Sequence, residues 1–475
     1  VGYWTDELCS LSCADGWGLQ VYKVPVNRIM PPLPVYTRLR DAAPIQAVPA
    51  ALARDDTHPP VYSLMLRAWE DIFGDNESGT RSLNICFSLI AIVLLYVAAK
   101  DSIGPSTALW AALLMAVASP QIMFSLEARD YMPAMTFALA ATVALLRLAR
   151  NPSPATASLL GLMLLLAMMT HYYAAGIAIA LVLHGLLWMR GRSRRMLIAA
   201  TLLAGFLFVV IWGMYFVQEI PNFRTNTAWL FDTGGPGRLQ RWGLRVCRVP
   251  AMLVAANLRD GFAIFGLLFL SLPILYLRRP ELRLWILWLI CTVVLIAGQD
   301  LINSTTQLTL PRYLLFATPA AYVLLAGAVR GRWSWLPPAA AVLTALLSIR
   351  SAYAPAWKID LRTPTDYVAH GMNPDDGLVI SGPDAFFDGI TCAAFQHYLP
   401  KMPAACAVLT KPADAPTLQR LHRCPHIWVL WMWPGRPVGQ VLPGFVADNY
   451  GHLPYFGDLM HGKLLRESVQ RSKSP

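Results

Sequence analysis

Residues 172–217 read YYAAGIAIALVLHGLLWMRGRSRRMLIAATLLAGFLFVVIWGMYFV. Two apolar runs, 172–189 and 197–217, flank a turn carrying Arg190, Arg192, Arg194 and Arg195. A helix needs roughly 20 mostly apolar residues to cross a bilayer, and each run is about that long. Such a pair, closed by a basic turn, predicts a membrane-spanning helical hairpin. Comparable runs recur near 82–99, 105–122, 131–149, 156–170, 262–277, 283–299, 313–329 and 335–350, so about ten spans are expected. The runs 156–170 and 172–189 are parted by His171 alone and also read as one bent hairpin.

Composition agrees. Of 475 residues, 56% are hydrophobic and 14% charged, against about 25% charged in soluble chains. The net charge of +11 is not arranged as basic runs interleaved with aromatics, which argues against nucleic acid as a partner. Eight cysteines without a CxxC pair give no zinc or redox module.

The basic residues instead mark orientation. Lys100, Arg147, Arg150, Arg190, Arg192, Arg194, Arg195, Arg278, Arg279, Arg283, Arg330 and Arg332 fall in alternate connections, opposed only by Asp101 and Glu281. The intervening short loops are nearly neutral. The positive-inside rule puts the basic turns in the cytoplasm. Segments 1–81, 218–261 and 351–475 are then extracytoplasmic, and a further helix before Val1 is expected in the full gene product. This parity divides the chain into a first outer loop with amphipathic helices (1–81), a transmembrane bundle (82–350) and a small soluble α/β domain (351–475). In the last, Gly377–Ser381 and Ile427–Trp431 suit buried strands, and Thr365–His370 and Ala415–His422 suit helices. Cys392, Cys406 and Cys424 lie there, as a disulfide pair among them or as packed thiols.

The same parity gathers ionisable groups at one face. They are Asp6-Glu7, His58-Pro59-Pro60-Val61-Tyr62, Arg81, Glu127-Ala128-Arg129-Asp130-Tyr131, His171-Tyr172-Tyr173 and Pro311-Arg312-Tyr313. Each has a plain structural reading: acids suit a helix start, tyrosines suit an interface belt, arginines snorkel. Their convergence on the face away from the basic turns favours chemistry. Arg241, Arg245 and Arg248 share a helical face that suits an anionic headgroup or a pyrophosphate, or a solvated helix on the membrane surface.

In this order and topology the motifs resemble those of GT-C glycosyltransferases, most closely the family 39 group of protein O-mannosyltransferases and aminoarabinose lipid A transferases. The resemblance spans about 1–370, and the C-terminal domain resembles the periplasmic domain of bacterial members. It implies a GT-C type bundle, a dolichyl- or undecaprenyl-phosphate sugar donor, inversion at the transferred carbon and a site at the outer face. It also implies an essential acid, mapping to Asp6 with Glu7 beside it, and a membrane helix before that motif. One departure stands out. The aminoarabinose branch has Glu-Lys before its Pro-Pro, where this chain has Thr57-His58, so that branch's metal site and lipid A acceptor do not carry over.

The residues support the same chemistry. Asp6, then Glu7, is the base for the acceptor hydroxyl. Arg129, then Arg81 and Arg312, with His58 and Tyr131, are placed to hold the donor phosphate, where arginine forks meet phosphate oxygens in pairs. Tyr62, His171, Tyr172, Arg241 and Arg245 complete the substrate set. Should a divalent ion bind, Asp6 and His58 are its expected ligands. The expected partners are the polyprenyl-phosphate sugar, a lipid, glycan or protein acceptor, and membrane lipids of the cell (inner) membrane. A transporter or lipid flippase is the alternative, but the spans show no clear repeat and few mid-span charges.

Overall fold

The computed structural model describes residues 2–232, 234–235, 237–254, 279–353, 358, 360–432, 435–453 and 457–465. The chain separates into two compact units, one of residues 52–355 and one joining 1–51 to 356–475. Residues 1–81, expected as one outer loop, are therefore divided after Ala51, and their early part belongs to the same unit as residues 356–475.

The 52–355 unit is helical. Among the described residues, four helices are long and apolar enough to cross a membrane: Glu77–Ile103, Tyr131–Arg150, Gly191–Asn226 and Pro280–Asn303. The pair Pro105–Val117 and Ser119–Ser125, bent by 56°, makes a fifth. Shorter apolar helices occupy Pro154–Met168, Ala174–Trp188 and Leu336–Leu347. The expected span at 262–277 lies outside the described residues.

Two spans expected as continuous are broken. Run 105–122 bends at Ala118, where Pro120 in the first turn starts a new helix because its missing N–H needs no partner there. Run 313–329 is a short turn Pro311–Leu314, a 3-10 turn Leu315–Ala317 and the helix Thr318–Ala326, again opened by a proline. The hairpin at His171 resolves into two helices joined by residues 169–173.

Apolar side chains turn outward on the Gly191–Asn226 helix: Leu202, Phe206, Val209, Val210, Met214 and Val217 are each more than half exposed. Water would not tolerate so broad an apolar face, whereas lipid does. The chain is an integral membrane protein. Between helices, small residues allow close approach. A Cβ at Gly176 would stand 2.8 Å from the Cα of Thr292 on the Arg283–Asn303 helix. Gly176→Ala is therefore expected to force the two helices apart and destabilise the protein by about 1–3 kcal/mol. Thermal unfolding in detergent measures this, and an unchanged midpoint would contradict the close contact.

The second unit is built on a five-stranded sheet of order β2-β1-β3-β5-β4, with β1 Gly377–Ser381, β2 Ala405–Val408, β3 Ile427–Met432, β4 Phe445–Leu453 and β5 Gly457–Leu464. β2, β1 and β3 are parallel and buried throughout nearly all their length, as apolar strands covered on both faces must be. β5 and β4 add antiparallel. Helices Arg362–Gly371 and Ala415–Leu421 form where the sequence predicts them. Residues 26–29 bridge to β2 at Val408 and Ala407, and Asn27 Oδ1 accepts the Thr410 and Lys411 amides at 2.9 and 2.8 Å. This pairing, invisible in local sequence, ties residues 1–51 to the sheet. Cys392, Cys406 and Cys424 are free thiols, the first two buried.

Candidate functional site

Within the helical unit, four separate connections bring their polar residues together at one end of the bundle. The cluster centres on His58, which precedes the Val61–Phe73 helix. Its Nδ1 lies 2.9 Å from Asp56 Oδ1, and its Nε2 lies 3.8 Å from Asp130 Oδ2. His171 meets the His58 ring edge-on at 5.6 Å and the Tyr131 ring at 5.5 Å. Arg129 lies over Tyr131 at 5.8 Å. Arg312 lies over Tyr313 at 5.3 Å, and Tyr313 in turn meets Tyr173 at 5.2 Å.

Local structure explains how each group is held. Asn84 Nδ2 donates to the carbonyls of Glu127 and Arg129 and so fixes the connection that carries Arg129 and Asp130. The Val61 amide donates to Met169 O at 3.0 Å, pinning the His58 segment beside the His171 loop. Asn222 donates to the carbonyls of Arg54 and Asp56, and Asn226 to that of Asp55. The end of the long Gly191–Asn226 helix thus cradles the strand of chain leading to His58. Asp300 accepts from the Gln307 and Leu308 amides at 2.8 and 2.9 Å and from Thr305 Oγ1 at 2.6 Å, which shapes the approach to Arg312.

Asp130 is the unusual member. It occupies the N-cap of the Tyr131–Arg150 helix, where an aspartate ordinarily accepts a backbone amide, yet its side chain caps nothing. Both its oxygens are buried and accept no hydrogen bond among the described residues. A buried carboxylate left in this state is costly unless something else meets it.

The charges are ordered. Burial opposes a charged His58, but the carboxylates of Asp56 and Asp130 outweigh it and raise its pKa above the ordinary value. Burial also works to raise Asp56, which His58 and Arg129 nevertheless hold below the carboxylate range. His171 falls to about 4, chiefly through burial, with His58, Arg129 and Arg312 adding to the effect against Asp130. His58 is thus the imidazolium of the site and His171 the neutral imidazole. A raised histidine stabilises the fold fully below its unfolded pKa of about 6.5, and this contribution is lost as pH rises through the higher folded value. Stability should therefore decline as pH climbs from about 6.5 through that higher value, and Asp56→Asn should move the decline to lower pH. Melting curves across pH for both proteins test this; superimposable profiles would contradict it.

His58, Asp130 and His171 present ligand atoms within 4.8 Å of one another, so a metal deserves a geometric test. His58 passes: Nδ1 held by a carboxylate leaves Nε2 for an ion, the usual support of a metal-bound imidazole. His171 does not pass in its present orientation. Its Nδ1 accepts the Tyr173 amide at 3.1 Å, so the neutral ring carries its proton on Nε2, which is buried and without a hydrogen-bond partner among the described residues. That atom is a donor aimed into the site. The set suits an anion flanked by Arg129, Arg312 and His58 better than a cation.

The other expected residues fall elsewhere. Tyr62 is buried at the start of the Val61–Phe73 helix, and Arg81 lies half-buried in the first turns of Glu77–Ile103. The Tyr172 hydroxyl donates to Glu219 and accepts from Trp212 Nε1 at 2.8 Å, which ties it to the long helix. Arg241 and Arg245 do share a face, but both bind Asp232, at 3.2 and 2.8 Å, and carbonyls of the neighbouring loops. Asp232 thus lies against two of the arginines expected to meet an anionic headgroup or a pyrophosphate. Asp6 and Glu7 belong to the other unit, in the first turn of the Thr5–Ala14 helix. Glu7 is buried and its carboxylate accepts the Trp4 amide at 3.2 Å, whereas Asp6 is half-buried. The metal pair expected from sequence, Asp6 with His58, therefore draws on two units, while the ligand-like trio lies wholly in one. Asp56 and Asp130 were missed as site residues, although Asp130 stands inside a motif quoted above and Asp56 two residues before another.

Residues 57–215 match the family model of dolichyl-phosphate-mannose-protein mannosyltransferase. No curated protein matches the chain in sequence. Among solved structures, ArnT from Cupriavidus metallidurans in the apo state is similar at TM-score 0.51 and 12% identity, over 97% of this chain and 93% of that one. The same protein bound to undecaprenyl phosphate gives 0.48 and 13%, over 85% and 88%. The Archaeoglobus fulgidus oligosaccharyltransferase, in complex with zinc and sulfate, gives 0.43 and 15%, over 78% of this chain and 59% of that one. The first of these likenesses shows a GT-C type fold, and the family match spans about a third of the chain. The stretch matched by the mannosyltransferase family model includes His58, Arg129, Asp130 and His171.

Proposed function

We propose that the protein transfers a sugar from a polyprenyl-phosphate carrier to an acceptor at the outer face of the cell membrane, with inversion at the transferred carbon. The observation that carries this reading is the cluster itself, in which Arg129, Arg312, His58 and Asp130 all act on His171 and the buried carboxylate of Asp130 accepts no hydrogen bond among the described residues. Guanidinium and imidazolium groups stabilise the departing phosphate where charge develops. The Nε2–H of His171 adds a donor that needs no counterion. Asp130 offers unused acceptor lone pairs, which sugar hydroxyls can fill. A carboxylate takes the proton from the acceptor hydroxyl as the hydroxyl oxygen attacks the anomeric carbon and the bond to phosphate breaks; Asp6, with Asp130 as the second candidate, is the base proposed.

The topology supports the outer face. Tyr131 begins and Arg150 ends one 20-residue helix, which spans about 30 Å at 1.5 Å per residue. The cluster therefore lies a bilayer's thickness from the basic turn at Arg147 and Arg150, on the side opposite the cytoplasmic charges. A carrier lipid of the kind found with the Cupriavidus protein fits such a location, with its tail in lipid and its phosphate at the cluster. Neither the fold nor the family match supports a transporter.

Incubation of the purified protein with a panel of labelled polyprenyl-phosphate sugars, without any ion gradient, tests the reading. Mass analysis should find one sugar moved to an acceptor and free polyprenyl phosphate left behind. Intact donors across the panel, with membrane extracts supplying acceptors, would rule the proposal out.

A further inference from the structure

We propose that the sheet domain carries a zinc site formed by Asp376, His426 and His461, independent of the transfer chemistry. Strand register assembles it. Gly377 of β1 pairs with Ile427 of β3 in parallel, so the preceding residues, Asp376 and His426, stand side by side at one end of the two strands. The Gly377 amide donates to His426 O at 2.9 Å and fixes that junction. On the other side of β3, Trp428 pairs antiparallel with His461 of β5. Side chains alternate along a strand, so His426 and Trp428 point to one face, and His461 joins them there. The two imidazoles stack at 4.7 Å, and His461 lies 4.6 Å from the Trp428 ring. Three adjacent strands thus deliver one ligand each.

The ligand atoms lie within 4.8 Å of one another, with His426 Nδ1 3.8 Å from Asp376 Oδ1. Ligands on a tetrahedral zinc, at about 2.0–2.1 Å from the metal, are roughly 3.3 Å apart, so modest rotation of the two half-buried rings closes the set. Asp376 points most directly to an ion. Its side chain is fully buried. One oxygen, Oδ2, is anchored by the Asn373 amide at 2.9 Å and by Trp428 Nε1 at 3.4 Å. The other, Oδ1, accepts no hydrogen bond among the described residues and faces His426. Anchoring of one carboxylate oxygen by surrounding donors is the support expected around a metal ligand. A simple ion pair with histidine would leave Oδ1 unsatisfied at 3.8 Å, beyond hydrogen-bond reach. Two imidazoles and a carboxylate, with a fourth position left to water, suit zinc among common divalent ions. Bound there, the ion would clamp the antiparallel β5 to the parallel strands.

The test uses the full-length chain in detergent, stripped with chelator and dialysed against zinc sulfate, with metal content measured by mass spectrometry. The wild type should retain about one zinc per chain, and so should a His58→Gln/His171→Gln variant, which alters only the helical unit. His461→Gln and His426→Gln should each weaken retention by about tenfold or more, and zinc should raise the melting temperature of the wild type but not of these variants. Their zinc-free melting temperatures report whether they fold, since both rings are partly exposed; Asp376→Asn, at a buried position, is read only alongside them. Zinc retained equally by the His426→Gln/His461→Gln double variant, or no zinc retained by the wild type, would overturn the assignment.

Discussion

Asp6→Asn is expected to lower kcat by roughly 10²–10⁴, the usual contribution of a positioned base, while donor KM and the yield of folded protein stay unchanged. The reasoning begins in one helical turn. Trp4 is the N-cap of the Thr5–Ala14 helix, which puts Asp6 and Glu7 at its second and third positions. Glu7 is buried, and its carboxylate accepts the Trp4 amide, the back-bond of a capping arrangement. Its work is structural: Glu7→Gln retains an acceptor and should be nearly silent, whereas Glu7→Ala should cost about 1 kcal/mol of stability. Asp6, half-buried in the same turn, is the acid we propose for proton transfer. An asparagine there keeps the shape and removes the basicity. Normal turnover by Asp6→Asn would remove it from the mechanism and leave Asp130 as the candidate base.

Arg129→Ala should reduce kcat by about 10²–10³, the loss typical when one charge-stabilising donor is removed from a reacting centre. Arg129 sits over Tyr131, on a connection fixed by Asn84, and its charge is felt by Asp56, His58 and His171 together. Arg129→Lys keeps the charge but loses the planar fork, so it should recover only part of the rate. Rates at saturating donor distinguish these outcomes from a binding defect, because a residue acting only in the transition state lowers kcat and kcat/KM alike. An Arg129→Ala enzyme with wild-type kcat would take the phosphate away from this cluster.

Much of this was legible in the sequence because it depends on local signals. Apolar runs and basic turns fix helices and their alternation. His58, Arg129, Tyr131, His171 and Arg312 stand at the starts of helices or in tight connections between them, so a correct alternation places all five at one end of the bundle. What the sequence did not reveal depends on contacts between distant segments. Asp56 and Asp130 look like ordinary helix-start acids until the structure shows that Asp130 caps nothing. Tyr172 was grouped with His171 by adjacency, but consecutive residues point different ways, and its hydroxyl goes to Glu219. Arg241 and Arg245 were read as one cationic helix face, and helical spacing alone does not convey that both turn to Asp232. The joining of residues 1–51 to the sheet rests on Asn27 and Thr410, 383 positions apart. The trio Asp376, His426 and His461 meets only through the register of three strands, which no periodicity conveys.

The donor-site assignment is tested most directly by equilibrium binding of labelled polyprenyl phosphate to the purified protein. The wild type should bind it, the His58→Ala/Arg129→Ala variant should bind at least about tenfold more weakly, since hydrogen bonds to charged groups contribute roughly 1.5–3 kcal/mol each, and Arg241→Ala, at a residue already engaged by Asp232, should bind as the wild type does. Equal affinity of the wild type and the His58→Ala/Arg129→Ala variant would contradict the account.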